Sequence, residues 1–180
     1  MTGPPVVIHL GRRFVASMLL LGFLRENYVT LERLLYGYAD LHLELGAAPL
    51  IGAIIWPYSI YISCCFAQRL SSSRFEDSWH RPGFLALVAL FMISLVGFYE
   101  PLLERVGMAR WQEGTLKTLG APWIAVIGYS TLAVTGTALS GWLIRRLESW
   151  RLWPALVPSM AALALLHARG LQALKDVLGW

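Results

Sequence analysis

Leu45-Gly46-Ala47-Ala48-Pro49-Leu50-Ile51 opens a long apolar run, and Leu119-Gly120-Ala121-Pro122-Trp123-Ile124 opens another in nearly the same words, one alanine shorter. Upstream of each stands a carboxylate that closes the preceding apolar run. Glu26 lies 23 residues before Pro49, and Glu100 lies 22 before Pro122. Downstream of each proline comes an aromatic cluster, Trp56-Pro57-Tyr58-Ser59 in one case and Tyr129-Ser130 in the other. The chain therefore reads as a duplicated membrane unit: span, glutamate, mixed linker, Leu-Gly-Ala-Pro, span. The copies cover about residues 14–66 and 83–144, with a C-terminal span and tail over 152–180. Two spans separate equivalent points, so the copies share one orientation, as a parallel repeat about an axis along the membrane normal. Such an axis brings Glu26 and Glu100 to the same end.

Composition supports a membrane setting. The chain is 57% hydrophobic and 14% charged, with mean hydropathy +0.56, whereas soluble domains are about 45–50% apolar and about 25% charged. The excess is segmented. The expected fold is all-α: a polytopic integral membrane helix bundle of about five spans in a single domain, residues 1–180. The first apolar run, residues 14–24, is 11 residues long. A bilayer core of about 30 Å takes roughly 20, so this helix must pass Arg25 and Glu26 or begin before Arg12. Ionisable residues at that depth point to function. Residues 47–66, 83–99, 121–144 and 152–167 complete the spans. Glu100-Pro101 ends the third, because proline disfavours helix in the residue before it, and Pro154 and Pro158 kink the fifth. Residues 27–46 read as an interfacial helix or re-entrant segment and residues 102–119 as a second mixed linker. Residues 68–82 read as a solvent loop, 145–151 as a tight basic turn, and 168–180 as a surface helix or tail.

Eight basic residues fall on one side of these spans and seven on the other. The positive-inside rule thus places the N-terminus in the cytoplasm by a narrow margin, and a bacterial inner membrane is the expected location. The partners expected are the lipid bilayer and, in a larger membrane assembly, neighbouring subunits; no basic patch suits nucleic acid. Cys64 and Cys65 are adjacent, and no disulfide framework exists. His9, His42, His80 and His167 have no zinc spacing, so no metal is expected, and Asp40-x-His42-x-Glu44 reads as a wet interfacial segment. Ala133, Gly136, Ala138, Ser140 and Gly141 form a small-residue face for close helix packing.

Two carboxylates in an apolar site suit acid–base chemistry. Burial raises a carboxyl pKa, so one can keep a proton to donate; the other, ionised, can stabilise a cation or activate water. The alternative is structural, with each glutamate an interfacial residue paired with a neighbouring Arg25 or Arg105.

The same positions resemble the membrane carotenoid-biosynthesis family that includes the CruF-type carotenoid 1,2-hydratases and, more distantly, the small membrane lycopene cyclases. The family's glutamate followed by an aromatic-Gly-x-Tyr patch is similar to Glu26 with Tyr36-Gly37-Tyr38. Its Leu-Gly entry into a span reaching a tryptophan resembles Leu45-Gly46 through Gly52 to Trp56. Its acidic-Pro pair looks like Glu100-Pro101, and its Gly-hydrophobic-Trp-x-Trp tract resembles residues 107–111. Its Gly-Ile-Pro-x-x-Asn-x-x-Gly-Trp signature is similar to residues 120–129, from Gly120 and Pro122 to Gly128 and Tyr129. The match covers roughly residues 15–145. Ala125 stands where the family has asparagine, Glu100 where it has aspartate, and Glu32-Arg33 where it has Thr-Gly.

The resemblance implies two functions of different class. In the first, the scaffold survives as a non-catalytic, carotenoid- or lipid-contacting subunit of a membrane complex, a photosynthetic one among the candidates, with Ala125 at the signature position as its mark. In the second, Glu100 or Glu26 protonates a terminal isoprenoid double bond, aromatic faces shield the cation, and water or an internal double bond captures it. Catalysis then rests on Glu26 and Glu100, substrate binding on Tyr36, Trp56, Trp123 and Tyr129, and the structural motif on Gly37, Pro49, Pro101, Gly120, Pro122 and Gly128. Neither function requires a cofactor, and a bound carotenoid or lipid is expected.

Overall fold

The structure, a computed structural model, describes residues 11–179 apart from 33, 39–42 and 148. Helix α1 (Arg12–Leu31) leads to a short strand β1 (Tyr36–Tyr38) and a hairpin of β2 (Glu44–Leu45) and β3 (Ala48–Pro49). Helix α2 (Leu50–Ser71) follows, then one short turn of helix, α3 (Phe75–Ser78). The order then recurs: α4 (Pro82–Arg105), β4 (Ala109–Trp111), a hairpin of β5 (Lys117–Thr118) and β6 (Ala121–Pro122), and α5 (Trp123–Arg146). Helix α6 (Ser149–Leu178) closes the chain. The protein is an all-α membrane bundle: among the described residues, five helices are long and apolar enough to cross a membrane. At 1.5 Å per residue, even the 20 residues of α1 span about 30 Å. That helix reaches length in both directions, starting at Arg12 and continuing past Arg25 and Glu26.

The linkers differ from expectation. Among the described residues of 27–46 there is no interfacial helix: α1 runs to Leu31, and strands follow. Leu35 and Gly46 have positive φ (61° and 75°), which stops helix propagation, and Gly37 disfavours helix between its two tyrosines. Backbone groups near the membrane must find partners, and here each linker satisfies the other. Strand β1 pairs antiparallel with β4, setting Tyr36 opposite Trp111, Gly37 opposite Arg110 and Tyr38 opposite Ala109. This pairing puts both linkers at one end of the bundle, so α1 and α4 run in the same direction. Inside the first hairpin, the Asn27 Oδ1 accepts the backbone N–H groups of Ala47 (2.5 Å) and Ala48 (3.3 Å).

The two occurrences keep a fixed spacing. Strand β1, the first hairpin and the start of α2 lie 73 positions before β4, the second hairpin and the start of α5. Pro49 and Pro122 each precede the first helical residue. The ends of α1 and α4 lie 74 apart, because four residues connect α1 to β1 and three connect α4 to β4. The missing residue is therefore in that connection and not in the hairpin. Both hairpin turns have two residues, Gly46-Ala47 and Leu119-Gly120, and the second has φ of 53° and 83°, the both-positive pattern that matches strand twist in two-residue loops.

One proline behaves differently from expectation, and another sits inside a span as expected. Pro101 does not end α4, which runs on to Arg105, and Pro57 lies inside α2. Membrane helices tolerate such breaks because neighbouring groups satisfy the freed backbone. Likewise α6 is one helix through Pro154 and Pro158, not a short span with a separate tail. The loop after α2 begins only at Ser72 and contains α3.

Packing relies on small residues, as expected for helix association in lipid. Gly22 of α1 abuts the Pro57 ring and the Ala53 carbonyl of α2, and Gly136 of α5 abuts Leu21 and Met18 of α1. Helix α6 packs against α1 and α5, where Ala168 and Leu171 meet Val29 and Ile124. The positions of α2 that stand 73 before Ile124 and Ile127 are Ile51 and Ile54, and these are 44% and 45% exposed.

Candidate active site

Two glutamates sit five residues before the ends of parallel helices, Glu26 in α1 and Glu100 in α4, and both are buried, at 0% and 2% exposure. Each is held by an aromatic from the strand that follows its helix. The Tyr38 hydroxyl donates to Glu26 Oε2 at 2.5 Å, and the Trp111 indole N–H donates to Glu100 Oε2 at 2.8 Å. Tyr38 and Trp111 stand 73 positions apart, the spacing of their strands. Geometry at the two carboxylates is thus shared; their electrostatics are not.

Glu26 is the centre of a closed cluster. Its neighbour Arg25 is equally buried and forms an ion pair with it. The Arg25 Nη1 also donates to the hydroxyls of Tyr36 and Tyr129, the latter at 2.9 Å. The guanidinium lies 4.6 Å from the Tyr129 ring centre and 5.4 Å from that of Tyr36, within cation–π range. Tyr36 donates to Glu26 Oε2 at 2.7 Å, and its hydroxyl oxygen is 2.7 Å from that of Tyr129. Burial first, and then the nearby Glu26 charge, holds the Tyr36 phenol well above its ordinary pKa, and the same two causes act on Tyr38. Both phenols therefore stay protonated donors. The pairing of Glu26 with Arg25 anticipated from the sequence is present, but buried rather than interfacial.

Glu100 has no such counter-ion; among the described residues it makes no ion pair. It lines a small cleft whose walls are Tyr38, Trp56, Trp111 and Tyr129, with Ile55 and Met108 at the mouth. About 20 Å³ of the cleft is open to the centre of a water molecule, room for roughly one water. The Trp56 and Tyr129 rings stack with centres 3.3 Å apart and planes 13° apart, and Tyr99 closes the other side of Trp56 at 5.3 Å. The Tyr99 hydroxyl is engaged with Ser59 at 2.6 Å. The Trp56 indole N–H is buried and has no hydrogen-bond partner among the described residues.

The cleft continues sideways. Ile51, Ile55 and Met108 belong both to it and to an open trough of about 610 Å³ whose other walls are Leu43, Leu50, Ile54 and Tyr58. Ile54 and Tyr58 carry the trough on toward Val15 and Leu19 of α1. Only apolar and tyrosine side chains line it, on the flank of α2 that α6 does not cover.

Of the expected binding residues, Tyr36, Trp56 and Tyr129 meet at this cleft and Trp123 does not. Trp123 opens α5, is 42% exposed and donates to Thr118 at 2.9 Å. Gly37 sits mid-strand, Gly120 forms a turn against Pro101, and Gly128 meets Leu171 of α6. Ala125 is buried. The His167 Nε2 is 2.8 Å from the Gly128 carbonyl oxygen, and Cys64 is buried with its Sγ 3.5 Å from the Thr137 Oγ1. Asp40, His42 and His9 lie outside the described residues. Among those described, no group of three metal-ligating side chains gathers. Sequence reasoning missed Tyr38, Tyr99 and the reach of Arg25 to Tyr129. Tyr38 and Trp111 had a signal: an aromatic 12 residues after one glutamate and 11 after the other. No family model matches the chain, and no curated protein or solved structure does.

Proposed function

We propose that this protein holds the end of a long isoprenoid, of the carotenoid class, in the Glu100 cleft, as a lipid- or carotenoid-contacting membrane protein. One observation carries the reading: a buried carboxyl with no counter-ion among the described residues faces an aromatic-walled cleft that opens into an apolar trough along the exposed Ile51, Ile54 and Tyr58 of α2. A water-soluble substrate would meet no polar mouth there, whereas an apolar chain can slide in from the bilayer and lie along Ile51, Ile54 and Tyr58. The two occurrences of helix, strand, hairpin and helix fit a duplicated unit, in which α6 packs on α1 of the first half and α5 of the second and leaves the flank of α2 open. The proposal includes a bacterial inner membrane, a cytoplasmic N-terminus and neighbouring subunits in a larger complex.

A second reading is favoured by the room for one water beside Glu100. Here the cleft is the site of a cofactor-independent hydratase. Glu26 is held in an ion pair with Arg25; Glu100, which makes none among the described residues, is the carboxyl that gives up a proton. Glu100 gives that proton to a terminal double bond, leaving a tertiary cation in the cleft against its aromatic wall of Trp56 and Trp111. Water adds, and its proton returns to the Glu100 carboxylate. The net reaction is addition of one water.

Expression in a host that makes an acyclic carotenoid, followed by purification and mass analysis of the pigment, tests both readings. Binding predicts pigment at a fixed ratio to protein, reduced at least tenfold in Glu100→Leu. Catalysis predicts in addition a pigment heavier by one water, absent with Glu100→Gln. Pigment that washes off the wild type without change contradicts both.

A further inference from the structure

We infer that the cleft is built for an oxygen at the end of its apolar ligand, and that Trp56 selects for it. The inference rests on the reading that the cleft takes the chain end, and it adds which end. Trp56 is 2% exposed and its indole N–H has no partner. The other polar groups of the cleft wall are engaged: Tyr36 and Tyr38 with Glu26, Tyr129 with Arg25, Trp111 with Glu100. Trp56 is stacked on Tyr129 and packed at a tilt against Tyr99, so it cannot turn away to find another acceptor without losing that stack.

An indole N–H is a donor only, and a buried tryptophan ordinarily finds an acceptor for it. Leaving such a donor unpaired is costly. A ligand bearing a hydroxyl or carbonyl oxygen removes that cost on binding, and a bare hydrocarbon end cannot. Sites with a waiting polar group discriminate strongly against ligands that lack its partner. The rest of the binding surface is apolar, so the ligand class is a long isoprenoid with a single oxygenated end. The polar end lies beside Trp56 and Glu100, and the hydrocarbon lies in the trough along Ile51 and Ile54.

The test compares phytol with phytene, its hydrocarbon counterpart, both radiolabelled, on the purified full chain in nanodiscs against empty nanodiscs. Wild type should hold phytol about tenfold or more tightly than phytene. Trp56→Phe keeps an aromatic ring and removes the N–H; it should bring phytol retention down to the phytene retention of the same variant. In the wild-type chain labelled with ¹⁵N-tryptophan, one buried indole N–H resonance should shift with phytol and stay with phytene, which makes the test independent of the variant's folding. Equal retention of the two probes by wild type, or an intact preference in Trp56→Phe, overturns the inference while leaving isoprenoid binding in place. Retention of neither probe overturns both.

Discussion

Arg25→Met is expected to be the most damaging single substitution in the protein, at about 3–5 kcal/mol, the range for removing one partner of a buried ion pair. The guanidinium is buried among Glu26, Tyr36 and Tyr129. Without it, the Glu26 carboxylate keeps two tyrosine donors but has no counter-charge in an apolar interior. The decisive comparison is Arg25→Met with Glu26→Gln in one chain. That pair removes both charges and retains a glutamine oxygen for Tyr36 and Tyr38, so most of the lost stability should return, as it does where buried ion pairs are replaced together. Thermal unfolding in a fixed detergent reads both variants against the wild type. A double variant no more stable than Arg25→Met would mean the damage comes from lost packing on the tyrosine rings, and the ion-pair account would be wrong.

Gly22→Ala is the second expected large effect, and its sign is the informative part. In an exposed helix this change gains roughly 1 kcal/mol of helix propensity. Here the new methyl would meet the Pro57 ring, whose Cδ lies 2.8 Å from the ideal position, and the Ala53 carbonyl oxygen at 3.0 Å. Neither can move aside: one is a ring fixed within α2 and the other is backbone. Overpacking costs about 1–3 kcal/mol, so a net loss of stability is expected, larger for Gly22→Val. Gly136→Ala should be milder, because its new methyl meets the flexible end of Leu21. A stabilised Gly22→Ala would show that α1 and α2 do not cross this closely.

Four spans were legible because each is a long apolar run, and for α1 the length requirement of a bilayer left two ways to complete the helix, of which it takes the one past Arg25 and Glu26. The Glu26 and Glu100 positions were legible too, since each closes such a run. The strand cap was not. Its strands are two or three residues long and have no periodicity to detect; β1 exists because β4, 73 positions away, supplies the hydrogen bonds. Pro101 misled for a related reason: a local rule that ends helices in water yields to a bundle able to satisfy the freed backbone. The cleft was half legible. Trp56 and Tyr129 stood out as aromatics inside their spans, but the contact of Arg25 with Tyr129 crosses 104 positions and follows only from the fold. The same contact separates the roles of the two glutamates, which their spacing presents as equivalent.

That separation is the central claim, and a side-by-side comparison of Glu26→Gln with Glu100→Gln tests it most directly. Each variant would be scored for thermal unfolding and for isoprenoid retained after purification. Glu26→Gln should unfold at a clearly lower temperature, because Arg25 loses its counter-charge. Glu100→Gln keeps an oxygen for Trp111; it should unfold close to the wild type and lose the bound isoprenoid or its chemical change. Equal effects of the two substitutions on both readings, or a stable Glu26→Gln beside an unstable Glu100→Gln, would contradict the account.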